Sequence, residues 1–238
     1  MNRISDRFRA AGMVLSLLLC MTIFTGCGAS AAPDTSPVKD GETLCFAFSP
    51  ADYIDGYNQL CRKEREGGDM RPFSAWVGLT DEAADSPFSG WNVRRFKQDE
   101  NCWSDPAVMI YPSEDGKHVR AITFDLDDHA YTEYSFVEFR RSCLRSMRLL
   151  TGISGDAADA LFEALYLQAA EGKGWYPDSS GAVPRVIYCG GNVGFYPYFR
   201  NGCMLRICAV PVTDEYLSQL EANGADIYDL DLNPFGNY

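Results

Sequence analysis

The order in which helical and strand-like periodicities occur along this chain constrains its fold more than any other feature. Residues 43–48, TLCFAF, are apolar and rich in strand-forming side chains. Ser49 and Pro50 then supply a helix N-cap and a proline for the first helical position, with Asp52 where a capping box needs its acceptor. Tyr53, Ile54, Tyr57, Leu60 and Cys61 fall on one face of the helix this predicts, which runs through a charged stretch, 62–66, and stops at Gly67-Gly68. Short strand-like segments follow at 74–79, 91–97 and 107–111, and Asp115-Gly116 marks a hairpin turn before 118–125. Alternation in that last segment puts Val119, Ala121, Thr123 and Asp125 on one side and Arg120, Ile122, Phe124 and Leu126 on the other.

The cycle then repeats. Phe136, Phe139, Cys143, Met147 and Leu150 recur at helical intervals, with Arg140, Arg141, Arg145 and Arg148 on the other side and Gly152 as the stop. A further helix, capped by Ser154 or Asp156, carries Ala158, Leu161, Phe162, Leu165 and Ala169 as its buried stripe. After a loop at 172–181 come strands at 185–189, 194–199 and 203–210, the last two joined by an Asn201-Gly202 turn, then a short helix at 213–222 and an acidic tail. A parallel sheet would need strands and helices in strict alternation. Helices followed by runs of strands predict instead an α+β fold, an antiparallel sheet with helices packed on one face. Two loosely similar helix-then-meander halves, 43–130 and 131–238, would share one globular domain spanning 43–238.

The first nine residues carry Arg3, Arg7 and Arg9 against Asp6, and 10–24 are free of charge. An apolar run of ~15 residues behind a basic start fits a secretory signal and falls short of the ~20 that span a bilayer. The run ends in Phe24-Thr25-Gly26-Cys27, which resembles the bacterial lipobox: a large apolar residue, two small ones, then cysteine. The resemblance implies that 1–26 is a signal peptide removed on export. It also implies that Cys27 carries a diacylglyceryl group and that the protein sits on the outer face of the bacterial cytoplasmic membrane. Residues 27–42 read as the lipidated cysteine and a small, polar, proline-containing tether.

A formal charge of −12, more negative still without the leader, excludes nucleic acid and anionic headgroups as natural ligands, so the expected membrane contact is the lipid itself. Beyond the anchor the cysteines are Cys45, Cys61, Cys102, Cys143, Cys189, Cys203 and Cys208. They are odd in number, which leaves at least one thiol free, and their spacing does not specify connectivity. No C-x-x-C occurs, so neither a zinc ribbon nor a thioredoxin-like site is indicated.

The densest polar cluster is Asp125, Asp127, Asp128 and His129. Carboxylates beside an imidazole suit a divalent metal or acid–base work, but acids ending a strand before a helix also suit a turn and the helix dipole. The turn reading is preferred, because no further ligand is identifiable. Asp226, Asp229, Asp231 and Asn233 mimic a calcium loop, yet Pro234 stands where glycine is required. The glycines at 190–194 lie between strands and open no helix, so they read as a turn. With two histidines in the chain and no G-x-S-x-G, no catalytic residue and no cofactor are assigned. Four aromatics, Trp103, Trp175, Tyr196 and Tyr198, are the candidate ligand-binding platform. The expected function is a non-enzymatic binding or interaction domain, its partner a cell-wall glycan or a protein. The competing classes are a cell-envelope hydrolase using carboxylates such as Asp125 and Asp128, and a structural or inhibitory lipoprotein.

Overall fold

In a computed structural model, described over residues 32–64, 71–72, 77–79, 88, 90–97, 107–127, 132–172, 184–200 and 203–230, each helix begins where a side chain satisfies the backbone. The Ser49 N–H donates to Asp52 Oδ2 at 2.8 Å and the Asp52 N–H to Ser49 Oγ at 3.2 Å, opening α1 (Pro50–Glu64). Thr132 and Ser135 form the same reciprocal pair at 3.0 and 2.7 Å to open α2 (Glu133–Thr151). Gly152 closes that helix with φ 73°, a left-handed conformation that costs glycine nothing. Ser154, rather than Asp156, caps α3 (Gly155–Ala170), and Thr213 caps α4 (Asp214–Ala222).

The strands are β1 (Pro37–Asp40), β2 (Thr43–Phe46), β3 (Arg71–Pro72), β4 (Val77–Leu79), β5 (Asn92–Lys97), β6 (Ala107–Pro112), β7 (Val119–Asp127), β8 (Val186–Gly190), β9 (Val193–Arg200), β10 (Cys203–Pro211) and β11 (Asp226–Asp229). They run in the order β11-β8-β9-β10-β7-β6-β5-β3, with β2 also on β7, β1 on β2 and β4 on β5. Two meanders, β5-β6-β7 and β8-β9-β10, meet through their last strands, with Ile207 opposite Phe124. Every pairing is antiparallel except β11 on β8. This is the α+β architecture that the order of periodicities requires.

The sheet is apolar on both faces. On one, α1, α2 and α3 bury Tyr53, Phe139, Met147 and Phe162 against Ile122, Phe124 and Ile207. On the other, Met109, Tyr111, Ala121, Tyr196, Tyr198 and Cys208 form a second cluster, joined by Phe88 and by Leu220 of α4. The position of α4 follows from topology. The chain leaves β10 at the middle of the sheet and reaches β11 beyond β8, so its connection must pass over β9 and β8.

Three local features differ from the sequence expectation. Residues 37–40, assigned to the tether, form β1, with Val38 opposite Cys45, so the sheet includes residues before 43. Cross-strand backbone hydrogen bonds provide what side-chain polarity conceals. In β7, Val119 pairs with Pro112 and Ala121 with Tyr111, which leaves Arg120 as a bulged extra residue. The bulge resets the alternation: Val119 joins the helix-side core and Arg120 is carried to the face of Trp91, 5.4 Å from its ring centroid. The start of the acidic tail becomes β11, where Tyr228 stacks on Tyr188 at 4.8 Å.

The glycine-rich 190–194 stretch is the β8–β9 hairpin, turning at Gly191 with φ 56°. Gly194 is required by packing. A Cβ there would lie 2.5 Å from Ile187 Cδ1 and 2.7 Å from Val212 Cγ1. Gly194→Ala is therefore expected to destabilise the protein by about 1–3 kcal/mol, the usual cost of overpacking, readable as a lower urea midpoint.

Cys45, Cys61, Cys143, Cys189 and Cys208 are buried thiols in no disulfide. Burial raises the Cys143 thiol well above its ordinary value and pushes Cys189 up to about 12; it likewise raises the Tyr53, Tyr57 and Tyr196 hydroxyls. The unfolded chain loses these protons near pH 9–10 while the folded chain keeps them. Stability is thus full below about pH 9 and falls above it, by roughly 1.4 kcal/mol per group for each pH unit. Denaturation midpoints measured between pH 7 and 10.5 check this; a flat profile would contradict it.

Candidate functional site

The apolar stripe of α1, Tyr53, Tyr57 and Cys61, continues at helical spacing to Glu64, which puts a carboxylate on the face turned toward α2. On α2 the opposing positions are arginines. Arg145 Nε donates to Glu64 Oε2 at 3.3 Å, and Arg148 Nη1 donates to Glu64 Oε1. Arg145 is 1% exposed and lies 5.9 Å from the Tyr57 ring centroid. Of the four arginines opposite the apolar stripe of α2, Arg140, Arg141 and Arg148 stay about a third exposed, while Arg145 alone is buried, with its guanidinium on Glu64. Next to it, Tyr53 Oη and Ser146 Oγ are 2.7 Å apart, a buried polar tie between the same helices.

Beside this contact, along α2, lies a groove of about 390 Å³ lined by Glu64, Phe136, Val137, Arg140, Arg141, Leu144, Arg145 and Arg148. Arg140 reaches across to α3, bonding Asp159 at 2.8 Å, and Arg141 bonds Glu138. The groove is two-sided in chemistry, four guanidiniums against one carboxylate on its wall, with Phe136, Val137 and Leu144 as apolar surface. Phe136 packs edge-on against Phe162 and Tyr166 of α3, and the exposed Tyr134, Val137, Tyr166 and Leu167 lie on these helices. A volume in the range of small-ligand sites, with apolar walls and convergent polar groups, is suited to binding.

The opposite face of the sheet holds the sequence-predicted Asp125. Its carboxylate accepts from Arg206 Nε and Nη2, both at 2.7 Å, a two-point fork between β7 and β10. Arg206 is fully buried, its guanidinium 5.2 Å from the Tyr198 ring centroid and 5.6 Å from that of Phe88. Asp125 is thus engaged in an ion pair within an aromatic enclosure. Asp127 ends β7 opposite Cys203, while Asp128 and His129 lie outside the described residues. Among the described residues no three His, Cys, Asp or Glu side chains are grouped to hold a metal.

Of the candidate aromatics, Tyr196 and Tyr198 are 4% and 1% exposed and serve as core surfaces of the second cluster; Trp103 and Trp175 lie outside the described residues, as does Cys27. Trp91 flanks the same cluster, edge-on to Phe88 at 5.9 Å and to Tyr111 at 6.1 Å. Arg120 over that ring also donates to Asp40 of β1 at 2.9 Å, holding the Asp40 carboxyl below its usual range. The pair fastens β1 to β7.

Sequence reading missed the groove because it treated each helix alone. The available signal was Glu64, a carboxylate that continues an apolar stripe and therefore needs a cation on the neighbouring helix. Arg206 carries a similar signal, a lone charge in phase with Cys208 and Val210 in an apolar strand. Among the described residues no helix is long and apolar enough to cross a membrane. Compared with protein-family models, curated proteins and solved structures, the chain matches none.

Proposed function

We propose that this chain is a lipid-anchored binding domain displayed on the outer face of the bacterial cytoplasmic membrane, holding a ligand rather than transforming it. The observation that carries the reading is the groove beside α2, where arginines and apolar side chains meet in one concave surface between elements rigidly tied by Glu64. The leader and the lipobox-like ending at Cys27 support the address, and the short segment between Cys27 and β1 keeps the domain close to the bilayer. A cell-wall glycan or an envelope protein is the expected partner.

Two measurements test this. Mass spectrometry of the membrane-extracted protein is expected to give an acylated N-terminal Cys27, and Cys27→Ala should move the protein from the membrane to the soluble fraction. The full chain in a neutral detergent should retain labelled cell-wall glycan or a defined envelope protein at a saturable site. Robust turnover of a substrate by the purified chain would sink the binding reading.

A further inference from the structure

Among the described residues, the large apolar side chains left exposed are Tyr134, Val137, Tyr166 and Leu167. Such residues scattered singly are ordinary, but these four gather at one end of one helix pair. Tyr134 and Val137 stand in the first turns of α2 and Tyr166 and Leu167 in the last turns of α3, and the short turn at 152–154 makes the two helices neighbours. Phe136 joins the two ends, its ring 6.0 Å from that of Tyr166 and 6.3 Å from that of Phe162. We propose that a second copy of this chain docks on this patch across a two-fold axis, an interface that goes beyond the binding reading above.

Charge selects the occupant. Arg140 is paired with Asp159 and Glu163, Arg141 with Glu138, and Arg145 and Arg148 with Glu64. The guanidiniums beside the patch are thus matched by carboxylates, on a chain whose formal charge is −12. An anionic bilayer or an acidic polymer needs a net positive surface, and these pairs remove it. A two-fold interface instead requires an apolar centre with both signs of charge around it, since each copy presents the same surface. Glu163, one helical turn from Tyr166 and 59% exposed, and Arg140, 36% exposed above the Phe162 ring, supply the two signs. Glu133 and Glu171, at the same end of the pair, are like charges that two docked copies bring nearer. Area sets the strength. At 1.5 Å per residue α2 and α3 are about 28 and 24 Å long, so their outer face offers on the order of 500 Å² per copy. Roughly 1,000 Å² in all is the lower limit for a specific interface, which puts dimerisation in the micromolar range or weaker.

The test is sedimentation of the full chain in excess density-matched neutral detergent, from about 1 to 500 µM. The protein mass is expected to double across this range. Added salt should tighten the dimer, because it screens the repulsion between acidic chains and spares the apolar centre. Leu167→Glu, at a position 58% exposed, and Val137→Glu, at one 45% exposed, both introduce a good helix former. Each should weaken association at least tenfold with the helical circular dichroism unchanged. A single monomeric mass at every concentration, a dimer that both variants leave intact, or a dimer that salt dissolves would overturn the inference. So would a monomer whose retention of a defined envelope protein is lost in Leu167→Glu, since the patch would then belong to that partner. Retention of glycan at the groove is measured separately, and the binding reading stands or falls without this interface.

Discussion

Asp125→Asn is expected to cost about 3–5 kcal/mol of folding stability, the largest effect of any single change at the sequence-predicted polar cluster. Arg206 is fully buried, and its guanidinium has the Asp125 carboxylate as a two-point partner between aromatic rings. Neutralising the acid removes a two-point charged partner from a guanidinium held out of water. The double change Asp125→Leu/Arg206→Met, which removes both charges, should recover most of the loss, because replacing a buried pair with apolar groups of similar size is often neutral or better. Chemical denaturation of the three chains decides this. If the double variant is as unstable as the single one, charge pairing is not what the site depends on. A nearby control is Thr123→Val: Thr123 is fully buried and its Oγ1 makes no hydrogen bond, so the change should be close to neutral. The prediction also bears on function. Loss of any activity in Asp125→Asn would report unfolding before it reported catalysis, and the folded fraction must be matched first.

Glu64→Ala should cost about 2–3 kcal/mol and loosen α1 from α2. Glu64 accepts from two arginines at once, and one of them, Arg145, has a side chain only 2% exposed. Removing the carboxylate takes a charged acceptor away from a buried guanidinium that faces the Tyr57 ring. Glu64→Gln, which keeps an acceptor oxygen, should lose less. Hydrogen exchange is the discriminating readout: protection should fall in the last turns of α1 and the matching stretch of α2, while β6, β7 and β10 hold theirs. Uniform loss across the sheet would show that Glu64 supports the whole fold and does not act locally between the two helices.

How much was legible differs by feature, and the reason is range. Helix starts were readable because a cap is a contact over three residues: Ser49 with Asp52, Ser154 with Ala157. Buried stripes were readable because helical period is local, and Phe139, Cys143 and Met147 are buried as their spacing requires. The Asp115-Gly116 turn was readable for the same reason; the Gly116 N–H bonds Ser113 O at 3.0 Å with φ 72° at the glycine. The burial of Arg145 was not legible because its partner Glu64 lies 81 residues away. The Arg120 bulge was missed because it is defined by the register against β6, which no alternation within β7 can reveal.

By itself, then, the sequence determined the class of the fold, the caps and the apolar faces, because each is specified within a turn or two of chain. It also carries the apolar N-terminal run ending in Phe24-Thr25-Gly26-Cys27, the resemblance on which the proposed address rests. The tertiary structure alone decided which charges are buried together and where a concave surface remains. Arg206 with Asp125, and Arg145 with Glu64, are pairs across 81 residues in each case, and their meaning comes from the low-polarity surroundings that packing creates. A charge in a sequence is a solvated surface group by default. Only folding two such charges out of water makes one pair a structural tie inside the sheet and the other part of the wall of a groove beside α2.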